Sequence, residues 1–487
     1  MSSHIVAVDA GTSMVKAVLV SSTEGIVAHS DAPVARDNLP GLSPAAVWST
    51  TAAVIQGLIV GQPDVVIDGI VITGQGDGLW AIDDNGEPAP RAYLWNSTEA
   101  ADVIEQWSHS GLIDAHYRQC GTVLWPGSQA ALWIWLLQHR PEEAHAMHRV
   151  FCAKDFLNYC LTGVVATDPT DASIPFLDSA TGTYSTEAAS RLGCTALLER
   201  LAPIIESGDR VGSVTTQAAM LTGLPEGTPV FQGALDVVAM VWGSGLGAPG
   251  DVLAVLGTTA ASMTVTPRES PAREPAGATI VLPGDAQLRV MGSSSGTATL
   301  EWYLGVSGYQ GEDRYEHFWA DVALSQEGQE IFLPFIRGER APVLAPHATG
   351  SFLGMTPETT SGRLARAVSE GITCALRWGI DSVLGQGRSG DLRGVVLAGG
   401  GSQAHAWALQ VANILDRPIQ VDGRNDLGAR GVAGVVFEKL GIPVEFPAKA
   451  VSLVEPNGNS AAVRERYALF LSAVETLAPV PGAPVHN

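Results

Sequence analysis

The chain has 487 residues, enough for two large domains or three smaller ones, and 46% of them are hydrophobic against 16% charged, so sizeable cores can form and global disorder is excluded. A formal net charge of −22, with only four lysines (Lys16, Lys154, Lys439 and Lys449), excludes the basic surface that non-specific binding to nucleic acid or an anionic membrane requires. Five cysteines without a CxxC pair read as buried reduced thiols, and the isolated HxxH of His145 and His148 has no partner cluster for a metal.

The N-terminal MSSHIVAVDAGTS lacks a signal-peptide pattern, and no run of 18 apolar residues occurs. A cytoplasmic protein outside the membrane is the expectation. The first thirty residues alternate in three bursts, Ile5–Val8, Val15–Val20 and Ile26–Ala28, predicting an antiparallel meander with turns at Ala10–Ser13 and Ser22–Gly25. Gly69–Thr73 reads as a strand and Ala130–Leu137 as a helix. Gly243–Gly250 reads as a boundary. Beyond it, Val252–Leu256 and Ser262–Val265 flank Gly257-Thr258-Thr259, repeating the strand, Gly-Thr turn, strand order of the N-terminus. Helical periodicity follows at Leu364–Leu376, Ala404–Leu415 and Ala461–Leu477, with a strand at Gly394–Leu397. Strands leaving through glycine-rich turns and mixed with helices indicate α/β domains, here two related ones.

Five segments could carry chemistry on a phosphate or a hydroxyl-rich ligand. Asp9-Ala10-Gly11-Thr12-Ser13, with Lys16 beyond, places a carboxylate at a strand end beside backbone and hydroxyl donors. An ordinary hairpin turn explains it equally well. Gly257-Thr258-Thr259 is a second such turn. Leu397-Ala398-Gly399-Gly400-Gly401-Ser402-Gln403 ends a strand in three glycines before a helix, whose free amides suit an anion or a flat ring. Gln232-Gly233-Ala234-Leu235-Asp236 leads into an apolar run, where Asp236 either caps a helix or points into a cleft. Gly74-Gln75-Gly76-Asp77-Gly78 is a polar turn at a strand end. Gly292-Ser293-Ser294-Ser295-Gly296 satisfies the GxSxG pattern of a serine hydrolase, with His347 and His405 further on, but that reading leaves both Gly-Thr turns and the triple glycine without a role.

Taken in order, these segments resemble the FGGY carbohydrate kinases. The resemblance runs through Asp9–Ser13, Thr73-Gly74-Gln75, Leu94-Trp95-Asn96, Lys154-Asp155 before Leu161-Thr162-Gly163, Asp236 and Gly257–Thr259. It continues through Leu333-Pro334-Phe335, Gly338-Glu339-Arg340, Arg366-Ala367 with Glu370-Gly371, and Gly399–Ser402 with Trp407 and Gln410. It implies two actin-like (ribonuclease H-like) ATPase domains, residues 1–245 holding mainly sugar and 246–487 mainly ATP, with a cleft between them. It also implies Asp236 as the catalytic base and Asp9 with Asp236 as the Mg²⁺-linked carboxylates. Gly11, Thr12, Ser13, Lys16, Gly257, Thr258 and Thr259 would surround phosphates. Gly399, Gly400, Gly401, Ser402 and Asn413 would lie at the adenosine, and Gln75, Asp77, Trp95 and Asp236 would meet substrate hydroxyls.

Three departures bear on the substrate. Ser97-Thr98-Glu99 stands where many relatives have Asp-x-Arg, Leu132 stands where a Lys is usual, and Gln75-Gly76-Asp77-Gly78 replaces the xylulose-kinase Gln-Met-His-Gly. The last is more similar to erythritol and L-xylulose kinases. The expected reaction is therefore ATP-dependent phosphorylation of a primary hydroxyl on a small sugar or polyol, a pentulose such as xylulose or a tetritol or pentitol such as erythritol. Asp236 needs no raised pKa for it. A catalytically weak sugar-sensing relative is the alternative, and a homodimer is left open.

Overall fold

The computed structural model describes residues 2–36, 41–269, 275–325, 328–385, 391–424, 426–444, 451–458 and 460–477. The chain forms two compact units: Met1–Gly247 with Thr279–Leu288 and Asp426–Ala448, and Ala248–Ala278 with Arg289–Asn425 and Lys449–Asn487. The return of Asp426–Ala448 to the first unit departs from a single cut in mid-chain.

The first unit is built on β1 (His4–Ala10), β2 (Met14–Ser21), β3 (Gly25–Pro33), β4 (Gly69–Gly74), β5 (Arg210–Ser213) and β6 (Pro229–Leu235), in the order β3-β2-β1-β4-β6-β5. β1, β2 and β3 form the expected antiparallel meander, while β1, β4 and β6 run parallel. Every residue of β4 (GIVITG) is buried, as a central parallel strand covered on both faces requires. The edge strand β3 keeps one face to solvent, with His29 and Asp31 on it. Helix α1 (Pro44–Val60) starts where Ser43 accepts a hydrogen bond from the Ala46 amide and Pro44 fills its first turn. Val54, Ile55 and Leu58 of α1 join Val6, Val8, Ile70 and Ile72 in the main core.

The helices that bear on the site are α2 (Gln129–His139), α3 (Ala153–Thr162) and α4 (Asp236–Gly243). The sequence reading did not recognise a further helix, Leu427–Lys439, which crosses α4. The crossing is close enough to exclude side chains. A Cβ on Gly243 would lie 1.9 Å from the Leu427 carbonyl, and one on Gly431 would lie 2.0 Å from the Ala239 carbonyl.

The second sheet repeats the plan with β7 (Asp251–Leu256), β8 (Ala260–Pro267), β9 (Ala278–Val281), β10 (Ala286–Ser293), β11 (Gly394–Ala398), β12 (Ile419–Asp422) and β13 (Val451–Val454) in the order β9-β10-β8-β7-β11-β12-β13. Again the first two strands form an antiparallel hairpin across a Gly-Thr turn, and the first pairs in parallel with a later strand. Helices α5 (Thr297–Val306), α6 (Ser361–Leu384) and α7 (His405–Leu415) pack on this sheet. With them comes the buried cluster of Val252, Leu256, Leu300, Ile372, Leu397 and Trp407. In chain order the Leu427–Lys439 helix is α8, and α9 spans Ser460–Leu477. Among the described residues no helix is long and apolar enough to cross a membrane, and all five cysteines are free.

Candidate active site

The ends of β1, β4 and β6 lie side by side, and the polar turns of the sequence sit there. Asp9 is paired across the hairpin with Lys16 and in parallel register with Thr73. Asp236 opens α4 directly after β6, and its Oδ1 accepts a hydrogen bond from the Val237 amide at 2.7 Å. Asp9 and Asp236 are each partly exposed as whole residues, yet the surrounding protein governs their ionisation. Burial pushes Asp9 up to about 6, against the pull of Lys16 and with a push from Asp426 at the start of α8. Burial, and then the charge of Asp9, push Asp236 up to about 7. The two acids thus feel each other and lack a full counter-charge. Asp426 was not picked out from sequence, because its place beside Asp9 depends on the helix that returns to the first unit.

Around this pair the predicted phosphate turn and the predicted sugar residues are joined. The Gly11 amide donates to the Met14 carbonyl at 3.0 Å, closing the hairpin. Thr12 Oγ1 donates to Gln75 Oε1 at 2.8 Å and accepts from Trp95 Nε1 at 3.1 Å. Ser13 is exposed, and its carbonyl accepts from the Val34 amide. Trp95 is fixed in turn by Trp125, whose Nε1 donates to the Trp95 carbonyl at 2.7 Å. Arg36, not singled out from sequence, donates to the Thr12 carbonyl at 3.0 Å.

Asp77 behaves differently from a simple hydroxyl contact. It has a left-handed backbone (φ 56°) and is 2% exposed, and its Oδ1 accepts from the Gln129 amide at 2.9 Å at the start of α2. Its other oxygen is buried without a hydrogen-bond partner. Burial holds its carboxyl well above the usual range. Two of the sequence departures are absorbed locally: the Ser97 hydroxyl accepts from the Leu94 amide, and Leu132 is wholly buried.

Beneath the strand ends lies a charged cluster whose members are scattered in sequence. Lys154 Nζ is 2.6 Å from Asp155, 2.8 Å from Asp168 and 2.9 Å from Asp171. Burial alone would lower the Lys154 pKa, but the three carboxylates hold it well above its ordinary value. Asp171 is pushed up to about 7, mainly by burial. Among the described residues, Cys152, Asp155 and Asp171 form the only group of three or more His, Cys, Asp and Glu ligand atoms close enough for a metal ion. The Lys154 ammonium already contacts two of them as their cation. Asp155 also accepts from Thr167 Oγ1 and Gln232 Nε2, both at 2.7 Å.

In the second unit, Gly257-Thr258-Thr259 and the three glycines meet at the ends of the neighbouring parallel strands β7 and β11. Thr258 and Thr259 are exposed, and the Cβ position of Gly400 faces open space. Gly399 has φ 92°, and its carbonyl accepts from Ser402 Oγ at 2.7 Å, a tight turn around Gly401. Asn413 lies on α7. Its carboxamide donates to Asn457 Oδ1 and accepts from the Asn457 and Gly458 amides, tying the far end of α7 to the loop before α9. The GxSxG segment is also accounted for. Ser293 Oγ donates to Glu339 at 2.7 Å, the Ser294 amide donates to the same carboxylate at 2.8 Å, and Ser295 Oγ donates to the Pro334 carbonyl. The Thr297 and Ala298 amides donate to the carbonyls of Gly257 and Thr258. The segment is a clasp for the Gly-Thr turn, and its serines hydrogen-bond to no histidine among the described residues.

Two α/β sheets, each with a hydroxyl-bearing Gly-Thr turn at its strand ends, and one with paired carboxylates, define a phosphotransferase of the actin-like ATPase class. Residues 4–243 match the N-terminal domain, and residues 252–437 the C-terminal domain, of the FGGY family of carbohydrate kinases. An L-xylulose/3-keto-L-gulonate kinase of Escherichia coli is 28% identical over 89% of this chain and 87% of its own length. A xylulose kinase of Streptomyces coelicolor is 30% identical over 88% and 86%, and an erythritol kinase of Brucella abortus 26% identical over 90% and 87%. A ligand-bound xylulose kinase structure from Lactobacillus acidophilus superposes with a TM-score of 0.89 at 20% identity, covering 98% of this chain and 99% of that one. Plasmodium falciparum glycerol kinase with ADP gives 0.87 at 18% identity, with 98% coverage of both. The chain belongs to the FGGY family and is a carbohydrate kinase.

Proposed function

We propose that the protein transfers the γ-phosphoryl group of ATP to a primary hydroxyl of a pentulose, tetritol or pentitol. The adjacency of Asp9 and Asp236, each with its pKa raised, carries this reading. A carboxylate at the end of β6, pushed up to about 7 by burial and by the charge of Asp9, is suited to take a proton from an alcohol. Asp236 accepts the hydroxyl proton as the new O–P bond forms and the bond between the γ-phosphorus and the ADP oxygen breaks. The raised value goes beyond the sequence expectation, under which an ordinary carboxylate would serve.

Gln75 and Trp95 would orient the substrate hydroxyls. Thr12, bonded to both, links them to the phosphate turn formed by Gly11, Thr12 and Ser13 with Lys16. Gly257, Thr258 and Thr259, with Gly399, Gly400, Gly401 and Ser402, supply amides and hydroxyls for the nucleotide. ATP as donor is supported by the family and by the likeness to a glycerol kinase structure with ADP. The all-oxygen donor set of Asp9 and Asp236, short of positive charge, fits Mg²⁺, which when bound would neutralise phosphate charge at this point. The substrate class rests on relatives named as xylulose, L-xylulose and erythritol kinases. It also rests on the Gln75–Gly78 turn. Residues 1–245 holding sugar, 246–487 holding nucleotide, and a cytoplasmic location belong to the same proposal.

The test is Asp236→Ala. Sugar-dependent ADP release should fall at least roughly 100-fold while nucleotide binding is kept. Near-normal turnover would remove Asp236 from this role.

A further inference from the structure

β6 does not reach Asp236 as a regular strand. Against β4 its register runs Val230–Ile70, Phe231–Val71, Gln232–Ile72 and then Leu235–Gly74, so one extra residue sits in β6 between Gln232 and Leu235. Such a bulge costs ladder hydrogen bonds and re-aims the side chains beyond it. Gly233 fits the bulge because a Cβ there would lie 1.9 Å from the Ile72 carbonyl. The segment is held instead by two buried threonine hydroxyls. Thr73 Oγ1 donates to the Ala234 carbonyl at 2.7 Å, and Thr170 Oγ1 accepts from the Leu235 amide at 2.8 Å.

Thr170 is itself oriented from below. Its hydroxyl proton goes to Asp168 Oδ2 at 2.7 Å, which also accepts from Ser207 Oγ at 2.6 Å, while Asp168 Oδ1 is 2.8 Å from Lys154 Nζ. Lys154, Asp168, Thr73 and Thr170 are each 1% exposed or less. Asp168 can only accept from Thr170, so the Thr170 lone pair must face Leu235. The cluster thus sets the direction of a hydrogen bond whose donor is the residue immediately before Asp236.

We infer that Thr170, backed by Asp168 and Lys154, is a positioning residue for Asp236, and that Thr73 is its counterpart on the other side of the bulge. The inference rests on Asp236 being the base. The buried Lys154–Asp168 pair then serves the reaction by fixing the backbone from which the base projects.

The experiment compares Thr170→Val with Thr170→Ser in the full-length protein. Valine keeps the shape and loses the hydroxyl, while serine keeps it. Thr170→Val should lower kcat roughly 10- to 100-fold, with the KM for ATP and for the sugar within about threefold of wild type. Thr170→Ser should restore kcat to within about threefold. A folded Thr170→Val enzyme with a lower Tm and an unchanged kcat would overturn the inference, since that is what a purely structural tie produces. If Thr170→Val does not fold, Thr73→Val reads the same element from the other side, and an unchanged kcat there would overturn it equally. Asp236→Ala run in parallel separates the two levels. If Asp236→Ala is inactive and Thr170→Val normal, only the positioning role fails, whereas an active Asp236→Ala enzyme removes the base itself.

Discussion

Asp77 shows how one residue at the polar turn also takes part in the frame. Asp tolerates a left-handed backbone better than most residues, and at φ 56° this turn sends its carboxyl inward to the first amide of α2. Burial favours the neutral acid, with the charge of Asp171 acting in the same direction. The folded-state pKa is thus raised, so the folded protein binds the extra proton. The stability contributed by this group is present at low pH and is lost as pH rises from about 4 toward its elevated folded value. Asp77→Asn keeps an acceptor for Gln129 without a charge. It should match wild type in urea unfolding near pH 3.5 and be the more stable of the two at pH 8.5. Asp77→Ala should be about 1 kcal/mol less stable than Asp77→Asn at both pH values for want of the cap. Equal pH dependence in wild type and Asp77→Asn would show that Asp77 is ionised in the fold.

At the scale of elements, the crossing of α4 and α8 decides where Asp236 points, because Asp236 is the first residue of α4. Gly243 and Gly431 let the two backbones touch. A methyl group on Gly431 would meet the Ala239 carbonyl at 2.0 Å and the Gly243 nitrogen at 2.7 Å, which no rotamer change can relieve. Gly431→Ala should therefore destabilise the protein by roughly 1–3 kcal/mol and lower turnover as α4 shifts. An alanine variant with unchanged urea midpoint and kcat would show that the helices separate freely. The strands of the two Gly-Thr hairpins, with β4 and β11, were readable because alternation and glycine-rich exits are local signals, and α2, α6, α7 and α9 because their apolar spacing is regular, whereas β6 and α1 were not recognised. Leu427–Lys439 was not recognised either, since its LGARGVAG stretch is glycine-rich and weakly amphipathic. Its helix depends on packing against α4, which no local pattern announces.

For the molecule as a whole, what was legible in the sequence divides along the same line. The two hairpins with Gly-Thr turns, the carboxylates at strand ends and the triple glycine are contiguous motifs, and the family resemblance assembled them in order. The Asn413 contacts were not legible because a helix position says nothing of which neighbour its carboxamide meets, here Asn457 and Gly458. The Lys154 cluster stayed hidden because Asp155, Asp168 and Asp171 gather around the ammonium only after folding. The single most direct measurement is ADP release by the purified full-length protein with Mg·ATP over tetritols, pentitols, pentuloses, hexuloses and aldonates, with the product identified by mass and phosphorus NMR. The account predicts ADP formation matched by a primary phosphate ester with at least one pentulose, tetritol or pentitol. ADP release that no such substrate stimulates, or activity confined to aldonates, would contradict it.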